Sequence, residues 1–153
     1  MESSLGDIFD PRLVKINLDG NTKEKVLAEL IDEIAALHPE CNADNLLNAL
    51  MKREGQLTSG IGAGVAIPHA FSRELKSITG AIGISLKGID YNALDNKPVH
   101  VIFFLAMTER KEENHLLVLN RILQLVQSEA MLQIKNAKNA KEIHTILSKV
   151  HLG

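Results

Sequence analysis

One imidazole, His69, stands just past a glycine-rich turn, and that placement suggests chemistry. Residues 58–70 read Thr-Ser-Gly-Ile-Gly-Ala-Gly-Val-Ala-Ile-Pro-His-Ala, with Arg53 a few positions upstream. Glycines let backbone N–H groups approach a ligand closely, and successive N–H groups in such turns make anion-binding concavities. A histidine beside an anion cradle is what a nucleophile for phosphoryl groups requires. Pro68 holds its own φ near −65° and pushes Ile67 toward extended backbone, which fixes the direction in which His69 leaves the turn. A free imidazole titrates near pH 6.5. Its neutral form offers one lone pair to an electrophile while the other nitrogen donates to a backbone carbonyl.

Each candidate also has a plainer reading. The three glycines could form only a tight structural turn, and a lone histidine is often structural. Arg53 could clamp two phosphoryl oxygens with its planar guanidinium, or it could cap the carbonyls at a helix end. Thr58 and Ser59 could donate to the same oxygens or merely stabilise the turn. With Gly60, Ile61 and Gly62 they make up the expected phosphoryl-binding segment. His115 falls at the start of a helix, where N–H groups point outward. It could bond phosphoryl oxygens or be a polar residue at a helix entry. The turn is not a Walker A loop, because no Gly-Lys-Ser/Thr follows at the required spacing. Nor is it a dinucleotide fingerprint, since Val65 occupies the third glycine position. No H-E-x-x-H, H-x-H or cysteine pair suggests a metal site. His38, His100, His144 and His151 have no assigned role, and Cys41 reads as structural.

The elements that must position these residues follow from periodicity. Met1 to Pro11 reads as a lead-in and Leu13–Leu18 as a short strand. Asn21 and Glu24 look like a capping box. Val26, Leu27, Leu30, Ile31 and Ile34 then recur at helical spacing until His38-Pro39. A second helix carries Leu46, Leu47, Leu50 and Met51 and ends near Gly55. Val65–Ile67, Ile78–Leu86 and Val99–Ala106 read as strands, the last buried on both faces. A charged loop from Thr108 to Asn114 precedes a helix with His115 in its first turn and Leu116, Leu119, Ile122, Leu123 and Val126 along it. Ser128 and Asn139 read as caps of two further helices. Strands flanked by helices within 153 residues indicate one α/β domain over residues 1–153.

Composition narrows the function classes. Hydrophobic residues make up 45% of the chain and aromatics 3%, so aliphatic side chains must fill the core. A net charge of −2, with no dense basic block, argues against nucleic acid as the main partner. One cysteine excludes an internal disulfide and fits a reducing compartment. No secretory segment is evident, and no run approaches the roughly 20 apolar residues of a membrane span. A cytoplasmic protein without membrane insertion is the expectation.

Arg53-Glu54, the run from Thr58-Ser59-Gly60-Ile61-Gly62 to Ile67-Pro68-His69, and His115-Leu116 together resemble the type-2 EIIA domains. These belong to the bacterial phosphoenolpyruvate:sugar phosphotransferase system, in its fructose/mannitol and nitrogen-regulatory branch. The likeness covers nearly the whole chain, and the stretch from Asp90 to Val99 is similar to the nitrogen-type members in particular. Ala63 stands where many members have Asn, and Ala70 where Gly is common. The resemblance implies a sandwich with a small mixed sheet between helices, the mannitol-type EIIA fold. It implies a phosphocarrier in which His69 accepts a phosphoryl group from HPr or an HPr-like protein, stabilised by His115 and Arg53, with no cofactor. The acceptor would be an EIIB cysteine or a regulatory target. A domain that binds partners without being phosphorylated is the third reading.

Overall fold

Nine residues of nearly unbroken apolar sequence, Val99–Met107, form the strand around which the chain is built. In the computed structural model, which describes residues 3–109 and 114–153, that strand is β6. Side chains alternate across a strand, and both faces of β6 are apolar. Ile102, Phe104 and Ala106 face one core, whereas Val101, Phe103, Leu105 and Met107 face another. A strand buried on both faces needs helices on both sides, and the molecule supplies them.

The elements run in order as α1 (Leu5–Ile8), β1 (Phe9–Lys15), α2 (Lys23–Leu37), α3 (Ala43–Gln56), β2 (Gly60–Gly62), β3 (Val65–Ala66), β4 (His69–Phe71), β5 (Thr79–Ile89), β6, α4 (His115–Val126), α5 (Ala130–Lys135) and α6 (Ala140–Leu147). The sheet is mixed, with strand order β1-β5-β6-β3-β2, and β4 also pairs with β6. β5 and β6 are antiparallel, as are β2 and β3. β1 runs parallel to β5, and both β3 and β4 run parallel to β6. Helices α2 and α3 cover one face through Val26, Leu27, Leu30, Ile34, Leu46 and Leu50. Helices α1, α4, α5 and α6 cover the other through Leu5, Val118, Ile122, Ile134, Ile143 and Leu147. This is an α/β sandwich around a small mixed sheet.

Several local expectations are corrected. The lead-in is structured: Ser4 and Asp7 form a capping box on α1, and β1 begins at Phe9 rather than Leu13. Pro11 fits because β1 is an edge strand, where a missing N–H is tolerated. Thr22, not Asn21, caps α2, accepting from the N–H of Lys25. Asn139 does cap α6, accepting from Glu142. Ser128 is not a cap; its hydroxyl donates to the Leu125 carbonyl, and α5 starts after Glu129 without a side-chain cap bond. The strand expected at Ile78–Leu86 extends to Ile89. Of the charged loop expected at Thr108–Asn114, residues 110–113 lie outside the described residues.

The glycine turn is also more ordered than expected, since it contributes strands β2 and β4 beside the expected β3. Gly62, Ala63 and Gly64 turn it with φ of 104°, 56° and 78°. Ala63 is the exposed non-glycine member of that run. A left-handed alanine costs roughly 1 kcal/mol, whereas Asn tolerates this region through its short polar side chain. Ala63→Asn is expected to stabilise the protein by about 0.5–1 kcal/mol. A urea midpoint that falls, or does not move, would contradict this.

Candidate functional site

His69 is the first residue of β4, paired in register with Leu105 of β6. The Pro68 carbonyl accepts from the Leu105 N–H, so the turn is tied to the central strand immediately before the imidazole. Arg53 comes from the last turn of α3. The two meet: the Arg53 Nη2 lies 2.8 Å from His69 Nε2. A guanidinium can only donate, so Nε2 accepts and its lone pair points at Arg53. The proton of the neutral ring is therefore on Nδ1, which faces the Ile67 carbonyl at a long 3.4 Å. The ring presents a bare Nε2 outward and directs its N–H inward.

Burial pushes the His69 pKa below its ordinary value of 6.5, and the positive charges of Arg53 and His115 act in the same direction. The Ile67 carbonyl and Glu54 oppose them. The ring is thus held neutral at pH 7, the form with a usable lone pair. We expect the His69 ring resonances to titrate with a midpoint below 6.5 in an NMR pH series. The sign for stability follows. The unfolded chain takes up this proton at a higher pH than the native one, so the native state binds fewer protons between the two values. Stability is intact above about pH 6.5 and declines as pH falls toward the native midpoint. A midpoint above 6.5 would overturn both statements.

His115 opens α4, whose cap is Asn114, accepting from Leu117 N–H. Its ring lies 5.6 Å from that of Phe71, tilted by 60°. Phe71 and His69 are two residues apart on β4 and share a face. His115 therefore stands near His69 without lining the same cavity.

That cavity, about 440 Å³, is open and lies between the end of α3, the turn and α4. Arg53, Thr58, Ser59, Ile61 and His69 line it; Gly60 and Gly62 do not. Four backbone N–H groups of the turn are already engaged within the protein. The N–H of Ser59 goes to Glu54, that of Gly60 to Thr58 Oγ1, that of Ala63 to Asp95 and that of Ile67 to the Ser59 carbonyl. These donors hold the turn together rather than facing an anion. The Ser59 hydroxyl donates to Glu54 at 2.8 Å, so it stabilises the turn. Thr58 Oγ1 accepts from Gly60 and retains its own proton for a ligand. Arg53 contacts Nε2 directly, and Thr58 lines the same cavity.

Two features lay outside the sequence reading. One is a buried polar network behind the turn, formed by Lys23, Glu54, Ser59 and Tyr91. The other is an apolar rim. Leu57, Ile61, Phe71, Leu116 and Leu123 are all exposed around the histidines, Leu57 by 72% and Leu116 by 67%. The rim had a visible signal. The core stripe of α4 is Val118, Ile122 and Leu125, so Leu116 and Leu123 form a second stripe that one core face does not need. Two of the remaining histidines have structural bonds: His100 Nδ1 donates to the Ser85 carbonyl and His144 Nε2 to that of Gly6. Among the described residues no cluster of three His, Cys, Asp or Glu could hold a metal ion. No helix among them is long and apolar enough to cross a membrane.

The fold and site define an α/β domain with one neutral, outward-facing imidazole beside an arginine in an apolar-rimmed groove. Residues 7–150 match the family described as phosphoenolpyruvate-dependent sugar phosphotransferase system, EIIA 2, and the chain belongs to that family. It is 30% identical over 144 residues to the PTS system fructose-specific EIIABC component of Bacillus subtilis, covering 94% of this chain and 23% of that protein. It is 29% identical over 150 residues to the nitrogen regulatory protein of Pseudomonas aeruginosa, covering 97% of each. The crystal structure of nitrogen regulatory protein IIA-Ntr from Neisseria meningitidis superposes with a TM-score of 0.86 at 25% identity, covering 94% of this chain and 98% of that one.

Proposed function

We propose that this chain is a cytoplasmic phosphocarrier that accepts a phosphoryl group on Nε2 of His69 from the phosphohistidine of HPr or an HPr-like protein. The carrying observation is the ring's orientation: Nε2 at the cavity in contact with the donor-only Arg53, and Nδ1 turned inward to the Ile67 carbonyl, which together call for a protonless Nε2. As the Nε2–phosphorus bond forms, the donor's nitrogen–phosphorus bond breaks. Nε2 carries no proton, so none must leave it. Charge on the equatorial oxygens is met by positioning and electrostatics, the dominant effects in phosphoryl transfer. Arg53 moves its donor from Nε2 to those oxygens, with the Thr58 hydroxyl and His115 as further donors. The exposed leucines and Phe71 give the donor protein an apolar surface to dock on.

A regulatory role of the nitrogen type is the reading we favour, supported by a relative and a solved structure that match over nearly their full lengths. The second reading, a sugar-specific carrier passing the group to an EIIB cysteine, is supported by the fructose-specific relative. The test is incubation with phosphoenolpyruvate, enzyme I and HPr, followed by intact mass. Gain of one acid-labile phosphoryl group is expected, and no gain with HPr or the host's own paralogue would sink the proposal. Subsequent loss of the group to an added EIIB would favour sugar transport over regulation.

A further inference from the structure

The polar network behind the turn leads to the imidazole by a continuous series of bonds. One oxygen of Glu54 receives three donors: Lys23 Nζ at 2.9 Å, Ser59 Oγ at 2.8 Å and the Ser59 N–H at 3.1 Å. The Glu54 side chain is only 5% exposed. Because the one Ser59 hydroxyl proton goes to the carboxylate, Tyr91 must be the donor in the 2.8 Å Ser59–Tyr91 contact. Tyr91 is fully buried, and Lys23 Nζ sits 4.3 Å above its ring. Burial and Glu54 push the Tyr91 pKa far up, so its proton stays available for donation.

Ser59, anchored in this way, accepts the Ile67 N–H on its own carbonyl at 3.0 Å. The Ile67 carbonyl faces His69 Nδ1. Glu54 is also the chain neighbour of Arg53, which holds Nε2. The Nδ1 contact that orients the ring therefore traces back to one buried carboxylate.

We propose that Lys23, Glu54, Ser59 and Tyr91 are positioning residues that set the direction and tautomer of the His69 ring through Ser59 and Ile67. Glu54 and Ser59 line the cavity at His69, with Glu54 Oε1 and the Ser59 hydroxyl engaged inside the network. The assembly makes the ring's inward N–H and outward lone pair the resting arrangement, so the acceptor nitrogen is aligned before a donor docks. This rests on the phosphocarrier reading for its use, but not for its geometry.

The test compares Tyr91→Phe, which deletes one oxygen, and Glu54→Gln, which deletes one charge, with wild type and with Ile143→Val. Ile143 is buried in the opposite core and serves as a destabilised control. Long-range proton–nitrogen NMR at neutral pH reads the tautomer of His69. Steady-state transfer from phospho-HPr separates kcat from KM. In wild type the Nδ1–H tautomer should dominate. In both site variants the Nε2–H tautomer should gain population and kcat should fall about tenfold, with donor KM within about twofold, because a misdirected ring costs alignment rather than docking. Ile143→Val should lower only the denaturation midpoint.

Wild-type tautomers and kcat in both site variants, with stability alone reduced, would make the network a structural clamp and overturn the proposal. So would a wild-type ring protonated mainly on Nε2. If Glu54→Gln does not fold, Tyr91→Phe decides alone. If wild type takes no phosphoryl group from HPr, the phosphocarrier reading fails while the NMR comparison still decides the positioning role.

Discussion

His69→Ala is expected to take up no acid-labile phosphoryl group under conditions in which wild type gains one, a rate loss on the order of 10³-fold or more for removal of a nucleophile. The fold should survive. Among the described residues the imidazole bonds to Arg53 and the Ile67 carbonyl, while β4 pairs with β6 through backbone that the substitution retains. A half-buried side chain outside both apolar clusters leaves a change within about 1 kcal/mol. Intact mass and a urea titration on the same sample check both halves. Uptake by the variant at the wild-type rate would remove His69 as the acceptor. A stability loss of several kcal/mol would leave the mass result without meaning for the chemistry.

Gly60→Ala should be the most damaging single methyl in the turn. A Cβ at this position would lie 2.8 Å from both the Cα and Cβ of Ala93 and 3.0 Å from Tyr91 Cδ1. Backbone cannot swing aside as a flexible side chain can, and Gly60 is held on both sides, its N–H by Thr58 and its carbonyl by Leu94. Overpacking of this kind costs about 2–3 kcal/mol. Relief by moving the turn would displace Ser59 and Ile61, which line the cavity, so transfer should fall together with stability. Gly62→Ala is a contrasting case. Its new Cβ meets nothing closer than 3.4 Å, and its cost comes from the φ of 104°. A wild-type urea midpoint for Gly60→Ala would show that the Ala93 segment yields, and the steric argument would be wrong.

Much of this architecture was legible from local patterns. The apolar run at Val99–Met107 is long enough, and sufficiently free of polar residues, that only a central two-faced strand accommodates it. Helices α2 and α3 followed from 3.6-residue spacing with a proline or glycine at the exits. Boundaries were less legible. Thr22 rather than Asn21 caps α2, because the cap is chosen by the angle at which the chain arrives, and both residues can serve. Strand β3 was legible as the apolar run Val65–Ile67, but β2 and β4 were hidden because three residues carry too little periodicity to stand out, and the partner of β4 is distant in sequence. The exposure of Leu116 and Leu123 was not legible, because periodicity reports apolar spacing, not which apolar stripe a helix turns toward the sheet.

Residue types by themselves determined the chemistry available here: an imidazole after a rigid Pro, an arginine within reach, glycines where backbone must turn left-handed, and an aliphatic α/β core. Tertiary structure decided what those residues do. It set Arg53 against Nε2, which fixes the tautomer. It turned the N–H groups of Ser59, Gly60, Ala63 and Ile67 onto Glu54, Thr58, Asp95 and Ser59, so these four serve the turn itself. It brought Lys23 and Tyr91 to Glu54 and Ser59 from two other segments of the chain. The physical reason is the same in each case. Local sequence sets backbone preference and periodicity, but a hydrogen bond between distant residues depends on where the sheet and helices place them, and burial then permits few other arrangements.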